Sequence, residues 1–343
     1  MTGRMRLFTA SELEKTPSRA VGLAAVYEDR LRSFMCRFMT DVGKRLKLSM
    51  ITVATACVHL HQFYMHFPVN HFDKYEVSAA CLWLAGKVEE QRAQVQFVCE
   101  AVYYQRHRVK LDRESSQYKD LRCRVLSIEI LLLQCIGFNF RALHPYSCCM
   151  EFVKKLFADT GGGAYDRDAD RKEVGQFTWR FMNDSIRTTL CLVYMPQKIA
   201  IACIHMAILW RNRACKRRRE AKAKEGKAGT DGTHDLSCED IVLEPLWFQK
   251  FVPDMTKAEL NRICDVLLSA LEEPPVKTGS NAKHRKRKAD PSSSRREQNK
   301  RLAVPSSVTP DLLTPPMDVR ATPEPLSAGA SSAGSVEPTP SPE

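Results

Sequence analysis

Glu76-Val-Ser-Ala-Ala-Cys-Leu-Trp-Leu-Ala85 and Lys198-Ile-Ala-Ile-Ala-Cys-Ile-His-Met-Ala207 are two versions of one segment, and they decide the fold. Set one above the other, Ala80, Cys81 and Ala85 fall on Ala202, Cys203 and Ala207. Small side chains at such spacing let neighbouring helices approach closely, as the central helix of a bundle requires. The two segments lie in halves of similar size, so the chain reads as a duplicated helical unit. Working outward, apolar residues recur every three or four positions in 28–46, 49–66, 73–91 and 119–136. Alternating β-branched runs bounded by turns do not occur in 1–272. Pro68, Pro145, Pro196 and Pro253 fall between the helical stretches, where a missing amide costs least. The expected class is all-α.

Composition sets the limits. The 343 residues are 44% hydrophobic and 27% charged, the proportions of a globular protein long enough for two domains and a tail. The longest apolar run, Val125 to Ile136, carries Glu129 and falls short of the roughly 20 residues that a membrane helix needs, so no span is expected. The first residues lack the apolar core of a secretory signal. Thirteen cysteines are present without one Cys-x-x-Cys pair. Cys57, Cys81, Cys135 and Cys203 stand among Ala, Leu, Ile and Val, which suits small hydrophobes in a reducing compartment rather than disulfides or structural zinc.

The formal charge of +12 is unevenly spread. Residues 211–227 carry a net +7 and residues 274–343 a net +4, leaving +1 for all the rest. The basic character thus belongs to an insertion and a tail, which argues against a globular face that clamps nucleic acid. From Pro274 onward Pro, Ser, Thr, Gly, Ala and basic residues dominate and aromatics vanish. Such a segment buries too little apolar area to offset its ordering entropy, so 274–343 is expected to be disordered.

No catalytic constellation is found. Gly161-Gly-Gly163 lacks the Lys-Ser/Thr that completes a phosphate cradle. On a helix His59 and His61 point about 200° apart, and His66 lies about 10 Å along the axis from His59, so these three do not form a metal site. His-Glu-x-x-His, nucleophile-elbow and kinase-loop signatures are absent. No metal or cofactor is expected, and the chain reads as a non-enzyme. Two charges stand out instead. Glu129 lies within Leu126-Ser-Ile-Glu-Ile-Leu-Leu-Leu133, a run apolar on nearly every face that marks a central buried helix, and Lys87 ends Ala79-Ala-Cys-Leu-Trp-Leu-Ala-Gly-Lys87. A lone buried carboxylate loses several kcal/mol of solvation, about what pairing or an exposed edge restores. The two residues are either solvated helix margins or a paired clasp at the edge of an apolar docking face.

At these residues the sequence resembles the cyclins, in particular the transcriptional group of cyclin T and cyclin K. Leu84-Ala-Gly-Lys-Val-Glu-Glu90 is similar to the end of the third helix of the family's first box. Leu126 to Phe140, closing on Gly137-Phe-Asn-Phe140, resembles its fifth helix. His61-Gln-Phe-Tyr-Met65 and Leu13-Glu-Lys-Thr-Pro-Ser-Arg19 also fit the group. Phe181-Met-Asn-Asp-Ser-Ile-Arg-Thr-Thr-Leu190 and Trp247-Phe-Gln-Lys-Phe-Val252 look closest to the second box of cyclin K.

The resemblance implies two tandem five-helix cyclin boxes followed by the tail. Residues 1–22 are then an N-terminal arm, 23–142 the first, kinase-binding box, and 143–273 the second box with a basic insertion at 211–233. It implies a regulatory subunit that activates a transcriptional cyclin-dependent kinase, resembling the cyclin-dependent kinase 9 or 12 class, acting on RNA polymerase II repeats during elongation. By resemblance Lys87 and Glu129 hold the segment leading into the kinase's C helix, Val88, Leu133, Phe138 and Phe140 supply apolar contacts, and Arg32 braces the box internally. Such a subunit makes no bonds; it favours the kinase state with the C helix inward. Two other readings remain: a cyclin-fold general transcription factor, whose zinc ribbon this chain has no Cys-x-x-Cys to build, and an RNA adaptor working through 211–227. In the tail, Lys283, Arg285, Lys286, Arg287 and Lys288 form a dense cationic run suited to nuclear import. Thr309, Thr314, Thr322, Thr339 and Ser341 each precede proline, either as kinase targets or as products of a Pro-rich composition.

Overall fold

Local signals start and stop the helices where the periodicity placed them. The computed structural model describes residues 6–91, 94–158, 167–224 and 240–272. Residues 273–343, with the cationic run and the Thr/Ser-Pro sites, lie outside the described residues. Two short helices, α1 (Ala10–Glu14) and α2 (Pro17–Ala20), form the N-terminal arm. Then come α3 (Ala25–Leu46), α4 (Met50–Phe63), α5 (Lys74–Val88), α6 (Val95–His107) and α7 (Ser116–Cys135). The later part holds α8 (Tyr146–Ala158), α9 (Arg167–Ser185), the short α10 (Leu190–Val193), α11 (Pro196–Lys224), a 3₁₀ turn at Trp247–Lys250, and α12 (Lys257–Glu272). Among the described residues the structure is all helix and loop, and no helix is long and apolar enough to cross a membrane.

Side-chain caps fix the starts. Ser49 Oγ accepts from Thr52 N–H, Asp73 from Tyr75 and Glu76 N–H, and Ser115 from Tyr118 N–H. Pro196 is the first residue of α11, where its missing N–H would have no partner anyway. Each half is built around one helix. α5 packs against α3, α4, α6 and α7, while α11 packs against α8, α9, α10 and α12. These two central helices are the segments that carry the internal repeat. Ala79, Ala80, Cys81, Leu82 and Ala85 on α5, and Ala200, Ala202, Cys203 and Ala207 on α11, are almost wholly buried. The second half reaches this layout with four long helices, α10 and the 3₁₀ turn.

Arg32 lies at the heart of the first half. Its Nε and one terminal nitrogen donate to Glu28 Oε1 at 3.0 and 2.7 Å, and its guanidinium also donates to the carbonyls of His61 and Tyr64 at 3.0 and 2.9 Å. Glu28 in turn accepts from Thr16 Oγ1 at 2.7 Å and pairs with Arg19, so one buried fork joins the arm, α3 and α4. Two further bonds tie the halves together: Phe8 N–H donates to Leu192 O at 2.7 Å, and His61 Nε2 sits 3.1 Å from Ile186 O.

Two expectations require correction. α7 is not a central helix: Leu121, Val125, Ile128 and Leu132 face the core, but Ile130 is exposed, so its apolar residues divide between core and surface. The stretch 211–227 does extend a helix, the reading that competes with RNA binding there, but it is not solvated from its first residue. α11 runs unbroken through it to Lys224, with Arg211 and Cys215 fully buried. Arg211 is drawn inward because Asp170 and Glu173 on α9 face it, and Arg218 and Arg219 pair with Glu173 and Asp240 at 2.6 Å. Residues 225–233 lie outside the described ones.

Candidate functional site

The site forms where α7 packs beside the end of α5. Lys87 and Trp83 are four residues apart on α5 and share a face. Glu129 is buried on α7; its Oε1 pairs with Lys87 Nζ, and its Oε2 accepts from Trp83 Nε1–H at 3.0 Å. The Lys87 ammonium lies over the Trp83 ring, 4.9 Å from its centroid, where the face of the indole attracts a cation. The carboxylate therefore has two partners on one neighbouring helix. The Lys87 side chain remains 46% exposed, so the pair sits at an edge rather than deep inside.

The backbone beyond Lys87 is held from behind. Thr55 Oγ1 donates to Glu89 Oε1 at 2.7 Å and lies 2.7 Å from His144 Nε2. With the hydroxyl proton given to Glu89, His144 donates from Nε2. Burial keeps His144 below the usual histidine range, opposed by the nearby Glu89 charge. Gln91 Oε1 then accepts from Ser49 N–H at 2.8 Å and from Thr52 Oγ1 at 3.0 Å.

The far end of α7 turns sharply. Phe138 N–H bonds back to Leu133 O at 3.0 Å and Gly137 N–H to Gln134 O at 3.0 Å, a paired closure that requires a left-handed residue. Gly137 supplies it at φ 58°, and Phe138 follows at φ 54°, a conformation unusual for a bulky residue. The turn leaves Phe138 63% exposed and Phe140 44% exposed, while Ile130 on α7 is 59% exposed. Val88 and Leu133 are half-buried and pack on the core.

The structure thus joins Lys87 to Glu129, leaves Phe138 and Phe140 open to solvent, and sets Arg32 apart as an internal fork. Sequence reasoning missed Trp83, although a large aromatic one turn before Lys87 on a helix of small residues was a signal. It also missed Ile130, hidden by an apolar run that looked buried throughout. Among the described residues no cluster of three or more His, Cys, Asp or Glu side chains could hold a metal ion. What the site offers is an ion pair satisfied within the chain, with exposed apolar side chains on the same helix and on the turn that closes it.

Residues 5–141 match the family model described as cyclin, N-terminal domain. The chain carries a cyclin domain. The chain is 33% identical over 205 residues to cyclin pch1 of Schizosaccharomyces pombe, a match covering 59% of this chain and 57% of that protein. It is 31% identical to human cyclin-K over 261 residues, covering 75% and 39%. Human cyclin-T2 is 29% identical over 271 residues, covering 78% and 32%. These relatives include T and K cyclins alike, and K is not singled out. The chain spans between about a third and somewhat over half the length of these relatives. Among solved structures, a chain of the yeast RNA polymerase II CTD kinase CTDK-1 complex matches at TM-score 0.52 and 14% identity, covering 78% of this chain and 73% of that one. A chain of the Chaetomium thermophilum CAK complex bound to ATP-gamma-S matches at TM-score 0.51 and 16% identity, covering 77% and 76%. At such identities the likeness is one of fold.

Proposed function

We propose that this cyclin is the regulatory subunit of a cyclin-dependent kinase that phosphorylates the RNA polymerase II C-terminal domain and so promotes elongation. The observation that carries the reading is the Lys87–Glu129 pair, on a helix that also exposes Ile130 and ends in a turn that exposes Phe138 and Phe140. An ion pair already satisfied within the cyclin can take up further hydrogen bonds from a partner backbone, and the apolar patch supplies the area that makes the contact hold. Val88 and Leu133 complete the face from its half-buried side. The cyclin adds no reacting group; its binding favours the kinase conformation with the C helix inward. The kinase is of the class resembling cyclin-dependent kinase 9 or 12, and the second half stands nearer to cyclin K. The names of the similar proteins support the kinase reading.

Purification of the tagged full chain with its bound proteins tests it. The expected result is one kinase at about equal amounts, able to phosphorylate polymerase repeats, with Phe138→Ala weakening its recovery. Recovery of a promoter complex or of RNA, without a kinase, would refute the proposal. We also infer a nuclear location from the run Lys283 to Lys288. A fluorescent fusion in which Lys286, Arg287 and Lys288 are alanine should lose nuclear accumulation, and unchanged accumulation contradicts that role.

A further inference from the structure

A groove of about 530 Å³ lies between α8 and α9, in the second half of the chain. Its apolar lining comes from Met150, Val153 and Trp179, and its charged lining from Lys154, Arg171 and Lys172. Val153 is buried and forms the base, whereas Trp179 is 42% exposed although its ring also meets Tyr146 at 5.0 Å. Gly175 stands within α9 at the groove, and a Cβ there would meet nothing within 4 Å. A glycine inside a helix costs about 1 kcal/mol relative to alanine. Here it relieves no clash, and what it does is keep the groove open.

We propose that this groove binds a short acidic peptide of a partner protein that carries an apolar anchor residue. The charge decides the sign. Among the described residues Lys154 and Lys172 make no ion pair, and Arg171 shares only the exposed Asp168 at 3.1 Å. Carboxylates of a peptide lying along α9 meet these three cations, while an aromatic or aliphatic side chain enters between Met150 and Trp179 over Gly175. Helix pairs that present apolar floors with a charged border take peptides in this manner. A second copy of this chain offers no net acidic counterpart, since 211–227 and 274–343 are strongly basic and the rest carries only +1. A nucleic acid would satisfy the cations but leave the apolar lining without an occupant.

Selection of random decapeptides on the immobilised full chain tests the proposal. Enriched sequences should combine acidic residues with one aromatic or aliphatic residue. Two variants then probe the site: Lys154→Glu with Lys172→Glu reverses its charge, and Gly175→Leu fills the space while favouring the helix. Each should weaken the selected peptides by about tenfold or more, with melting not lowered and kinase activation unchanged. Failure to enrich peptides, enrichment without acidic bias, or binding to either variant as tight as to the parent chain would overturn it. So would equal displacement by a single-stranded RNA of the same charge, which assigns the site to polyanions at large. Because kinase activation is measured separately, loss of that reading leaves this result interpretable.

Discussion

Replacing Glu129 and Lys87 one at a time separates their two duties, holding the first half together and holding a kinase. Glu129→Ala removes the acceptor of Trp83 Nε1–H and the counter-charge of Lys87. A part-buried indole N–H left unpaired costs about 1–3 kcal/mol. Lys87 is 46% exposed, so water takes up its freed ammonium and the lost pairing adds less than about 1 kcal/mol. A chain of this size loses about 2–4 °C of melting temperature per kcal/mol, so a fall of several degrees is expected. Lys87→Ala leaves Glu129 bonded to Trp83 and admits water where the lysine stood; its expected cost is about 1 kcal/mol. At the kinase the asymmetry disappears. Truncating either partner of a desolvated polar contact costs about 2–5 kcal/mol of binding, or roughly thirtyfold to several-thousandfold in affinity. Melting by circular dichroism and kinase affinity by calorimetry should be read on the same preparations. If Lys87→Ala melts normally and binds the kinase within about threefold of the parent chain, the clasp reasoning is wrong. Loss of binding only in proportion to loss of folded protein would reduce the pair to a packing feature.

Three further outcomes follow from packing and titration. Arg211→Met should cost about 3–5 kcal/mol because it strands the buried Asp170, whereas the exposed Lys216→Ala or Arg217→Ala should fall within about 0.5 kcal/mol; chemical denaturation distinguishes them. Gly43 lies where α3 crosses α4, and a Cβ there would run into Val53 Cγ2, so Gly43→Ala should destabilise by about 1–3 kcal/mol. Adding Val53→Ala should recover part of that loss. Burial, and secondarily the charge of His144, pushes His59 down to about 4 from an ordinary 6.5. The unfolded chain therefore takes up a proton first, and stability should decline as pH falls from about 6.5 to about 4 and level off below. His66, His144 and His205, also lowered mainly by burial, tilt the same way. Urea midpoints across that range check the sign, and a flat profile contradicts it.

The helical frame was legible because it rests on local rules. Ser49, Asp73 and Ser115 cap helices whose apolar spacing was visible, and the Ala–Cys–Ala segments announced both central helices. Lys87 and Glu129 stood out because charge is costly among apolar neighbours. Trp83 escaped notice because its partner lies forty-six positions away. Arg211 was misread for a related reason: a basic run looks solvated until the acids on another helix are placed against it. Ile130 shows the converse, since an apolar residue beside buried ones says nothing by itself about which face it occupies.

The bond from Phe8 N–H to Leu192 O sets an order on how the protein comes into being. A chain is made from its N-terminus at about 5–20 residues per second, so the arm leaves the ribosome on the order of ten seconds before Leu192 exists to receive it. Through that interval the Phe8 N–H lacks the acceptor it has in the finished protein. Protease cleavage of chains stalled before and after α10 would read the docking directly, with protection around Phe8 expected only in the longer ones. The residues around Phe8 are thus among the last to settle, after Thr16 and Arg19 have already met Glu28, and their docking reports that the second half has been built.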